Sequence, residues 1–204
     1  MDRRIAALFV DTGGVYFNVP GVDPWDVSRD ARQYRGPSAV VAHPPCKRWG
    51  RYWSGGPSAK VKRKKGDDGG CFASALASVR SWGGVLEHPE GSHAWAWHGL
   101  IKPPKSGGWI SAGDWVGWTC CVEQGHYGHP MRKATWLYCV GVNDLPSLIW
   151  GKAHGKARID RGGLSWREAD HTRINKSRGK IAKGTPVIFR DLLIEIARST
   201  KETT

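Results

Sequence analysis

Short apolar runs separated by Gly, Pro and polar residues dominate the first part of the chain. Ile5 to Val10 is a continuous apolar run that ends in Asp11-Thr12-Gly13-Gly14, which is typical of a buried parallel strand followed by a tight turn. A second run, Ser38 to Ala42, leads into His43-Pro44-Pro45-Cys46. Both runs predict strands of a sheet that is covered on its two faces.

The spacing then changes to that of a helix. In Cys71 to Trp82 the apolar residues Phe72, Leu76 and Val79 recur at helical intervals, and Gly83-Gly84 predicts the end of the helix. Val85-Leu86 predicts a short strand that leads into Glu87-His88-Pro89.

The second half of the chain predicts three further elements. A helix or turn is expected over Ala112 to Glu123, and a strongly apolar strand over Ala134 to Val142. Thr185-Pro186 predicts the start of a closing helix, Val187 to Ala197, whose Ile188, Leu192 and Ile196 are expected to pack onto the sheet.

The order of these elements predicts an α/β fold with a mostly parallel sheet flanked by helices. A chain of 204 residues is long enough for one full core, so we expect a single domain over 1–204 with its closing helix within 185–199. Residues 143–184 are basic and rich in Gly towards their end, and they predict either a small DNA-recognition insert or a partly disordered arm. The sequence does not decide between these two.

The charge balance points to a polyanionic partner. The chain has 31 Lys and Arg against 18 Asp and Glu, a formal charge of +13, and nucleic acid is the simplest partner for that excess. Residues 48–70 combine a Lys/Arg run with Trp and Tyr, which predicts a mobile basic loop. Some of the 12 Trp residues are expected to stack on bases.

The five cysteines lack the spacing of a disulfide framework, so we expect reduced thiols and a cytoplasmic protein. No apolar stretch approaches the roughly 18 residues of a membrane span, and no membrane association is expected. Zinc is not expected either, because the candidate ligands do not follow a usual ligand spacing. These candidates are His43, His88, His126 and His129 with Cys120 and Cys121.

Cys46 is the candidate nucleophile. The two prolines before it fix an extended, stiff turn at the end of a predicted strand, which is a way to present a reactive thiol. The alternative is a buried structural cysteine after a proline-rich turn.

Five segments, in order, resemble the C5-cytosine DNA methyltransferase family, above all its short versions carried in bacteriophage genomes. Phe9, Asp11, Gly13 and Gly14 stand at the place of the family's glycine-rich cofactor turn. Pro45-Cys46 matches its Pro-Cys nucleophile motif, and Glu87-His88-Pro89 stands where the family has Glu-Asn-Val. Residues 125–137 are similar to its Tyr-Gly-x-Pro-Gln-x-Arg-x-Arg segment, and residues 183–186 to its Gly-Asn-x-x-Pro motif.

The chain also departs from the family pattern. Lys47, His88 and Met131 replace the family's Gln, Asn and Gln. Only eight residues separate Gly14 from Asp23, too few for the helix that usually follows the cofactor turn.

The resemblance implies a Rossmann-like methyltransferase with a reduced target-recognition insert. It would methylate a flipped cytosine in double-stranded DNA, as a monomer, with S-adenosylmethionine as cofactor, in the host cytoplasm if it is phage-encoded. The implied catalytic residues are Cys46 as nucleophile and Glu87 as its acid partner, with Arg132 and Lys133 nearby. The implied cofactor residues are Phe9, Asp11, Gly13, Gly14, Asp23, Trp25, Asp30, Pro45 and Thr185.

The candidate DNA-binding residues are Lys47, Arg48, Arg51, Lys62, Arg63, Lys64 and Lys65. Two other functions stay open. One is an enzyme on the same scaffold that uses Cys46 on a pyrimidine with another one-carbon donor or an already modified base. The other is a DNA-binding relative without turnover.

Overall fold

A computed structural model describes residues 3–55, 60–154 and 184–201, and within them the chain forms an α/β fold around one seven-stranded sheet. The strands are β1 (Ile5–Leu8), β2 (Val22–Trp25), β3 (Ala39–Ala42), β4 (Gly84–Pro89), β5 (Ile110–Ser111), β6 (Gly117–Glu123) and β7 (Ala134–Val140). The helices are α1 (Cys71–Trp82), α2 (His93–Trp97) and α3 (Val187–Arg198), with short 3₁₀ turns at Ala31–Gln33 and Gln124–Tyr127.

The sheet is mixed, and the prediction of a mostly parallel sheet was wrong. The strand order is β2-β1-β3-β4-β7-β6-β5, in which β2, β1, β3 and β4 are parallel. β7 runs antiparallel to β4, and the remaining pairs are antiparallel as well. The parallel half retains the Rossmann-like arrangement, with crossovers on both sides of β1.

The prediction of a helix or turn over Ala112 to Glu123 was also wrong. Most of that segment is β6, which pairs with β7 along its whole length. Cys120 packs into the core on one face of the sheet and Cys121 into the core on the other. A strand that is buried on both faces shows no alternation of polar and apolar residues, so its sequence resembles a buried helix.

One helix covers each face of the parallel half. α1 matches its predicted bounds, and its Phe72, Leu76 and Val79 are buried against one face, as the spacing predicts. Its C-cap residue is Gly83, with φ of 73°, a conformation that favours glycine.

α3 covers the other face, through buried residues that differ partly from the predicted stripe. Phe189, Leu193 and Ile196 are buried, Leu192 is half-buried, and Ile188 is 61% exposed. The buried face of α3 is therefore shifted from the predicted one. It includes Phe189, whose large ring packs against Tyr127 with 5.7 Å between the ring centres. No helix within the described ranges is long and apolar enough to cross a bilayer.

Of the segment 143–184, the structure describes residues 143–154 and Gly184. Residues 143–154 pack back onto the sheet layer: the Trp109 indole donates to the Pro146 carbonyl at 2.9 Å, and Leu148 is buried. Residues 155–183, which contain most of the predicted basic insert and Lys183, lie outside the described residues.

Candidate active site at the carboxyl ends of the parallel strands

The topology places the loops that follow β1, β2 and β3 together, at the carboxyl ends of the parallel strands. From β1 the chain crosses to β2 on one side and later returns to β3 on the other, so the strand order reverses between β1 and β3. In open α/β sheets, ligands bind in the crevice at the carboxyl ends of the strands at such a point. The His43 amide donates to the Leu8 carbonyl at 3.0 Å and joins the two strand ends there.

The glycine turn after β1 is tight and strained. Phe9 has φ of 59°, which is uncommon for a residue with a side chain, and Gly13 has φ of 66°. A Cβ on Gly14 would lie 2.8 Å from the Asp11 carbonyl oxygen, so only glycine fits there. The Asp11 side chain is exposed beside this turn.

Buried Asp26 ties the glycine turn to the loop after β2. Its Oδ2 accepts from the Thr12 hydroxyl at 2.6 Å, and its Oδ1 accepts from the Ser28 hydroxyl at 2.6 Å. These hydrogen bonds lower the pKa of Asp26, so the carboxylate is charged at neutral pH. Asp26 therefore fixes the position of the glycine turn relative to the loop after β2.

The acidic residues that the resemblance assigns to the cofactor already have partners in the protein. Asp23 does not lie at a strand end but within β2, where it forms an ion pair with Arg29 at 2.6 Å. The Arg29 guanidinium lies 4.0 Å from the centre of the half-buried Trp25 ring. Hydrogen bonds from Arg32 lower the pKa of Asp30 to about 2.

Cys46 stands at the start of a turn on the surface. Pro44 is buried, whereas Pro45 and Cys46 are exposed, and the Cys46 carbonyl accepts from the amides of Trp49 and Gly50. The alternative of a buried structural cysteine was wrong, because the chain leaves the core at Pro45. Cys46 is in no disulfide.

The loop that follows Cys46 is anchored by a buried tryptophan. Trp49 is 2% exposed, and its indole N–H donates to the Asp68 carboxylate at 2.7 Å. The same carboxylate accepts from the amides of Gly70 and Phe72, both at 2.9 Å, at the start of α1. Both ends of the loop are thus held at one place.

Glu87 is the centre of a buried polar cluster next to β3. Its Oε2 lies 3.0 Å from His43 Nδ1, and His43 Nε2 lies 2.7 Å from the Tyr16 hydroxyl. Its Oε1 accepts from Gln124 Nε2 at 3.2 Å, and the same amide nitrogen donates to Thr135 Oγ1 at 2.9 Å. These contacts join β3, β4, β7 and the loop after β1 in one network.

Glu87 is held as a carboxylate. Burial alone would raise the pKa of Glu87, but the hydrogen bond to His43 and the positive charge of Lys133 outweigh it and lower the pKa to about 2. Lys133 also reaches the Gly184 carbonyl, at 3.3 Å, beside the predicted cofactor residue Thr185. The structure therefore brings Lys133, Thr185 and Glu87 into one region.

Arg132, by contrast, is not a partner of Glu87. Its guanidinium forms a two-nitrogen contact with Glu123 Oε1, at 2.6 Å and 3.1 Å, in a small cavity lined also by Glu90 and Lys105. The cavity lies at the carboxyl end of β6, which β7 separates from β4 in the sheet.

His88 points to the opposite face from Glu87 and is enclosed by aromatic rings. Its ring centre lies 5.2 Å from that of Phe72 and 6.3 Å from that of Trp95, and neither ring nitrogen has a hydrogen-bond partner of ordinary geometry among the described residues. Burial lowers the pKa of His88 to about 4, although the charge of Glu87 and the nearby Pro45 carbonyl oppose this effect.

We predict that His88 makes the fold sensitive to mild acid. An unfolded histidine titrates near 6.5, so a folded pKa of about 4 favours unfolding as the pH falls from about 6.5 to 4, by up to about 3 kcal/mol. In the His88→Leu variant, the free energy of unfolding measured by urea titration should fall less over that range than it does in the wild type. His154→Leu, which changes an exposed ring, is the control, and equal slopes in all three proteins would contradict the prediction.

The predicted DNA-binding residues line the surface of the loop after Cys46. Lys47, Arg51, Lys62, Arg63 and Lys64 are exposed, and Arg48 and Lys65 are half-buried. The half-buried pair packs at Trp53: Arg48 donates to its carbonyl at 3.0 Å, and the Lys65 ammonium lies 5.4 Å from its ring centre. Residues 56–59 of this loop lie outside the described residues, and the predicted mobility stays a prediction.

Sequence reasoning missed Tyr16, His43, Gln124 and Thr135 as parts of the site. Their signal was weak, because each is a single polar residue beside an apolar run. His43 could have been found, since it follows a predicted buried strand directly, as Glu87 does, and polar residues at adjacent strand ends meet.

No group of three or more His, Cys, Asp or Glu side chains among the described residues could hold a metal ion. No protein-family model matches the sequence, and no curated protein matches it.

Proposed function

We propose that this protein is a DNA cytosine-C5 methyltransferase that uses Cys46 as its nucleophile and S-adenosylmethionine as methyl donor. One observation carries the proposal: the glycine turn and the Pro-Pro-Cys turn follow β1 and β3 at the topological switch point, and Glu87 lies on the neighbouring strand β4, directly after the residues that pair with β3. The same three pieces carry the resemblance in the sequence.

Cys46 has the exposure that the reaction requires. C5 of cytosine is a poor nucleophile, and a thiolate that adds to C6 makes C5 electron-rich enough to attack an electrophilic methyl group. A thiol on a stiff turn between buried Pro44 and buried Trp49 can reach a base without rearrangement of the core. The target base has to leave the duplex, because C6 is not accessible in a stacked pair.

Glu87 and Lys133 are the charged groups that the proposed reaction uses besides Cys46. Addition of the thiolate places negative charge on the ring, which is stabilised by a proton at N3 and by a nearby cation. Lys133 is the cation that acts on Glu87, and Glu87 is the residue that holds the ring nitrogen in the proposed complex.

The residues of the glycine turn fit the cofactor. Gly14 allows no side chain, Gly13 has open space around it, and Asp11 exposes a carboxylate that can accept hydrogen bonds from hydroxyl or amino groups. Trp25 offers a half-buried ring at the next strand end. When bound, S-adenosylmethionine supplies the electrophilic methyl group. Asp26 and the Asp23–Arg29 pair would keep the turn and the Trp25 ring in place.

The proposed function is tested by mass spectrometry of nucleosides from mixed-sequence DNA that has been incubated with the protein. 5-Methyldeoxycytidine should accumulate with S-adenosylmethionine and not without it. With S-adenosylmethionine present, DNA that contains 5-fluorodeoxycytidine should form an adduct with Cys46 that survives denaturation, because fluorine cannot leave C5 as a proton does. Absence of both products would contradict the proposal. Exchange of the C5 proton of deoxycytidine into D₂O without formation of 5-methyldeoxycytidine would instead favour a different donor on the same scaffold.

We predict that the Lys/Arg run contributes directly to DNA affinity. Replacing Lys62, Arg63, Lys64 and Lys65 together by Gln should reduce the slope of log K against log salt by about one unit for each phosphate that the protein no longer neutralises. The slope is measured by fluorescence anisotropy between low and moderate salt. Arg4→Gln is the control and should leave the slope within error, because exposed Arg4 directly precedes β1, at the amino ends of the parallel strands. An unchanged slope in the fourfold variant would place the DNA-binding surface elsewhere.

A further inference from the structure

Tyr16, His43 and Glu87 form a continuous chain of hydrogen bonds that the family resemblance does not contain. The chain spans three elements: Tyr16 follows the glycine turn, His43 follows β3, and Glu87 lies on β4. All three side chains are largely buried, with the His43 side chain 13% exposed and the Glu87 side chain 10% exposed. Gln124 holds the second oxygen of Glu87 and fixes its orientation.

The proposed reaction needs a proton that Glu87 does not carry. Ring addition at C6 is completed by protonation at N3, yet the low pKa of Glu87 leaves it ionised at neutral pH. Of the residues that hydrogen-bond Glu87 in the described parts of the chain, His43 and Gln124, only His43 has a side chain that exists in both a protonated and a neutral form.

We propose that His43 is a positioning residue that stores the proton which Glu87 passes to the ring nitrogen of the target base, and that the Tyr16 hydroxyl supports both protonation states of His43. This inference rests on the proposed function. Tyr16 can play this part because a hydroxyl accepts from a protonated Nε2 and, after rotation, donates to a neutral one.

The proton that N3 takes up comes from His43 through Glu87, and every bond that forms is matched by one that breaks. The Cys46 Sγ–C6 bond forms, the C5=C6 electron pair becomes a C4=C5 bond, and the C4=N3 pair moves to N3. N3 takes a proton from Glu87, which takes one from His43 Nδ1, so the imidazolium becomes a neutral imidazole. C5 then uses the C4=C5 pair to bond an electrophile, which is a solvent deuteron when no cofactor is present, and the C4=N3 bond is restored with N3 still protonated. When the original C5 proton leaves to water, its electron pair becomes the C5=C6 bond and the Sγ–C6 pair leaves with the thiolate. The N3 proton then returns to His43 along the same path.

Charged and polar groups from several elements face His43 or its two hydrogen-bond partners. From β4 it faces the Glu87 carboxylate and from the loop after β1 the Tyr16 hydroxyl; Lys133 acts on Glu87, and Arg190 and Asp191 of α3 act on Tyr16 with opposite signs. His88 on β4 also acts on Glu87 and is neutral above pH 4. Buried Tyr16 keeps its proton, because burial raises its pKa well above the usual value.

The test measures exchange of the C5 proton of deoxycytidine into D₂O without cofactor, because addition of Cys46 to C6 suffices to make that proton exchangeable. The rate of exchange is measured for the wild type and for the His43 variants over a range of pH. His43→Asn keeps an N–H donor towards Glu87 but cannot titrate. It should exchange about 10²- to 10⁴-fold more slowly than the wild type, with DNA affinity unchanged and with a different dependence of the rate on pH.

Tyr16→Phe should also slow the exchange, by a smaller factor than His43→Asn. Its control is Tyr34→Phe, because the hydroxyl of buried Tyr34 donates to the Ser38 carbonyl and takes no part in this chain of hydrogen bonds. If His43→Asn does not fold, His43→Gln and the pH profile of the wild type give the same comparison. Wild-type rate and pH profile in the His43 variants would overturn the inference alone. A wild type that neither exchanges the proton nor traps 5-fluorodeoxycytidine would overturn the proposed function and the inference together.

Discussion

Replacing Cys46 with alanine is expected to abolish base modification, by at least about 10⁴-fold in rate, while DNA binding stays close to that of the wild type. The reaction has no pathway without the Sγ–C6 bond, whereas affinity for DNA comes mainly from Lys and Arg contacts to phosphates. The fold should be unaffected, because the side chain is exposed. The measurements are nucleoside mass spectrometry, DNA binding and thermal unfolding of the same preparation.

Cys71→Ala is the matched control for Cys46. Cys71 is the other cysteine that is not fully buried, and burial raises the pKa of its thiol, so its replacement should leave the rate within about twofold. Turnover that persists in the Cys46→Ala protein would eliminate the covalent mechanism. Loss of turnover in the Cys71→Ala protein together with turnover in the Cys46→Ala protein would move the nucleophile to the start of α1.

Replacing Gly84 with alanine is expected to destabilise the fold by about 3–6 kcal/mol, which is enough to unfold many domains. Gly84 has φ of 120°, and a Cβ there would lie 1.9 Å from the Val40 carbonyl oxygen and 2.7 Å from its amide nitrogen. These atoms belong to the pairing of β3 with β4, so the clash pushes apart the two strands that carry His43 and Glu87. Denaturant unfolding measures the effect.

Gly99→Ala separates the clash from the backbone strain. Gly99 also has a positive φ, of 73°, but a Cβ there meets no atom within 4 Å, so its replacement should cost only about 1 kcal/mol. Equal destabilisation by the two substitutions would show that strain alone explains the effect. A Gly84→Ala protein of wild-type stability would contradict the close approach of the two strands.

Elements whose signals lie within one short segment were predictable from the sequence. The bounds of α1 were predicted in full because an amphipathic stripe and a Gly-Gly stop signal coincide in one segment. β1 and β3 were predicted because continuous apolar runs of strand length end in Gly or Pro. The direction of β7 was not predictable, since it is determined by the hairpin-like pairing with β6 and not by its own residues.

The candidate site was predictable only in part for the same reason. Cys46 and Glu87 were found from their places after strands, whereas Tyr16 and Gln124 contact the site across 27 and 37 positions of sequence. A resemblance in sequence does not show which of two neighbouring residues reaches the site. Arg132 stands beside Lys133 in sequence, yet Arg132 pairs with Glu123, whereas Lys133 acts on Glu87.

The Asp68 contacts at the two ends of the basic loop have a consequence for how this protein can change. Because Trp49 and the start of α1 bind the same carboxylate, the ends of the loop are fixed independently of its length. The entropy of closing a loop grows only with the logarithm of its length, so doubling it costs about 0.6 kcal/mol. Insertions, deletions and exchanges between residues 50 and 66 can therefore accumulate without displacing the Cys46 turn, and the proposed DNA-binding surface can diverge there while the proposed chemistry of Cys46 stays the same.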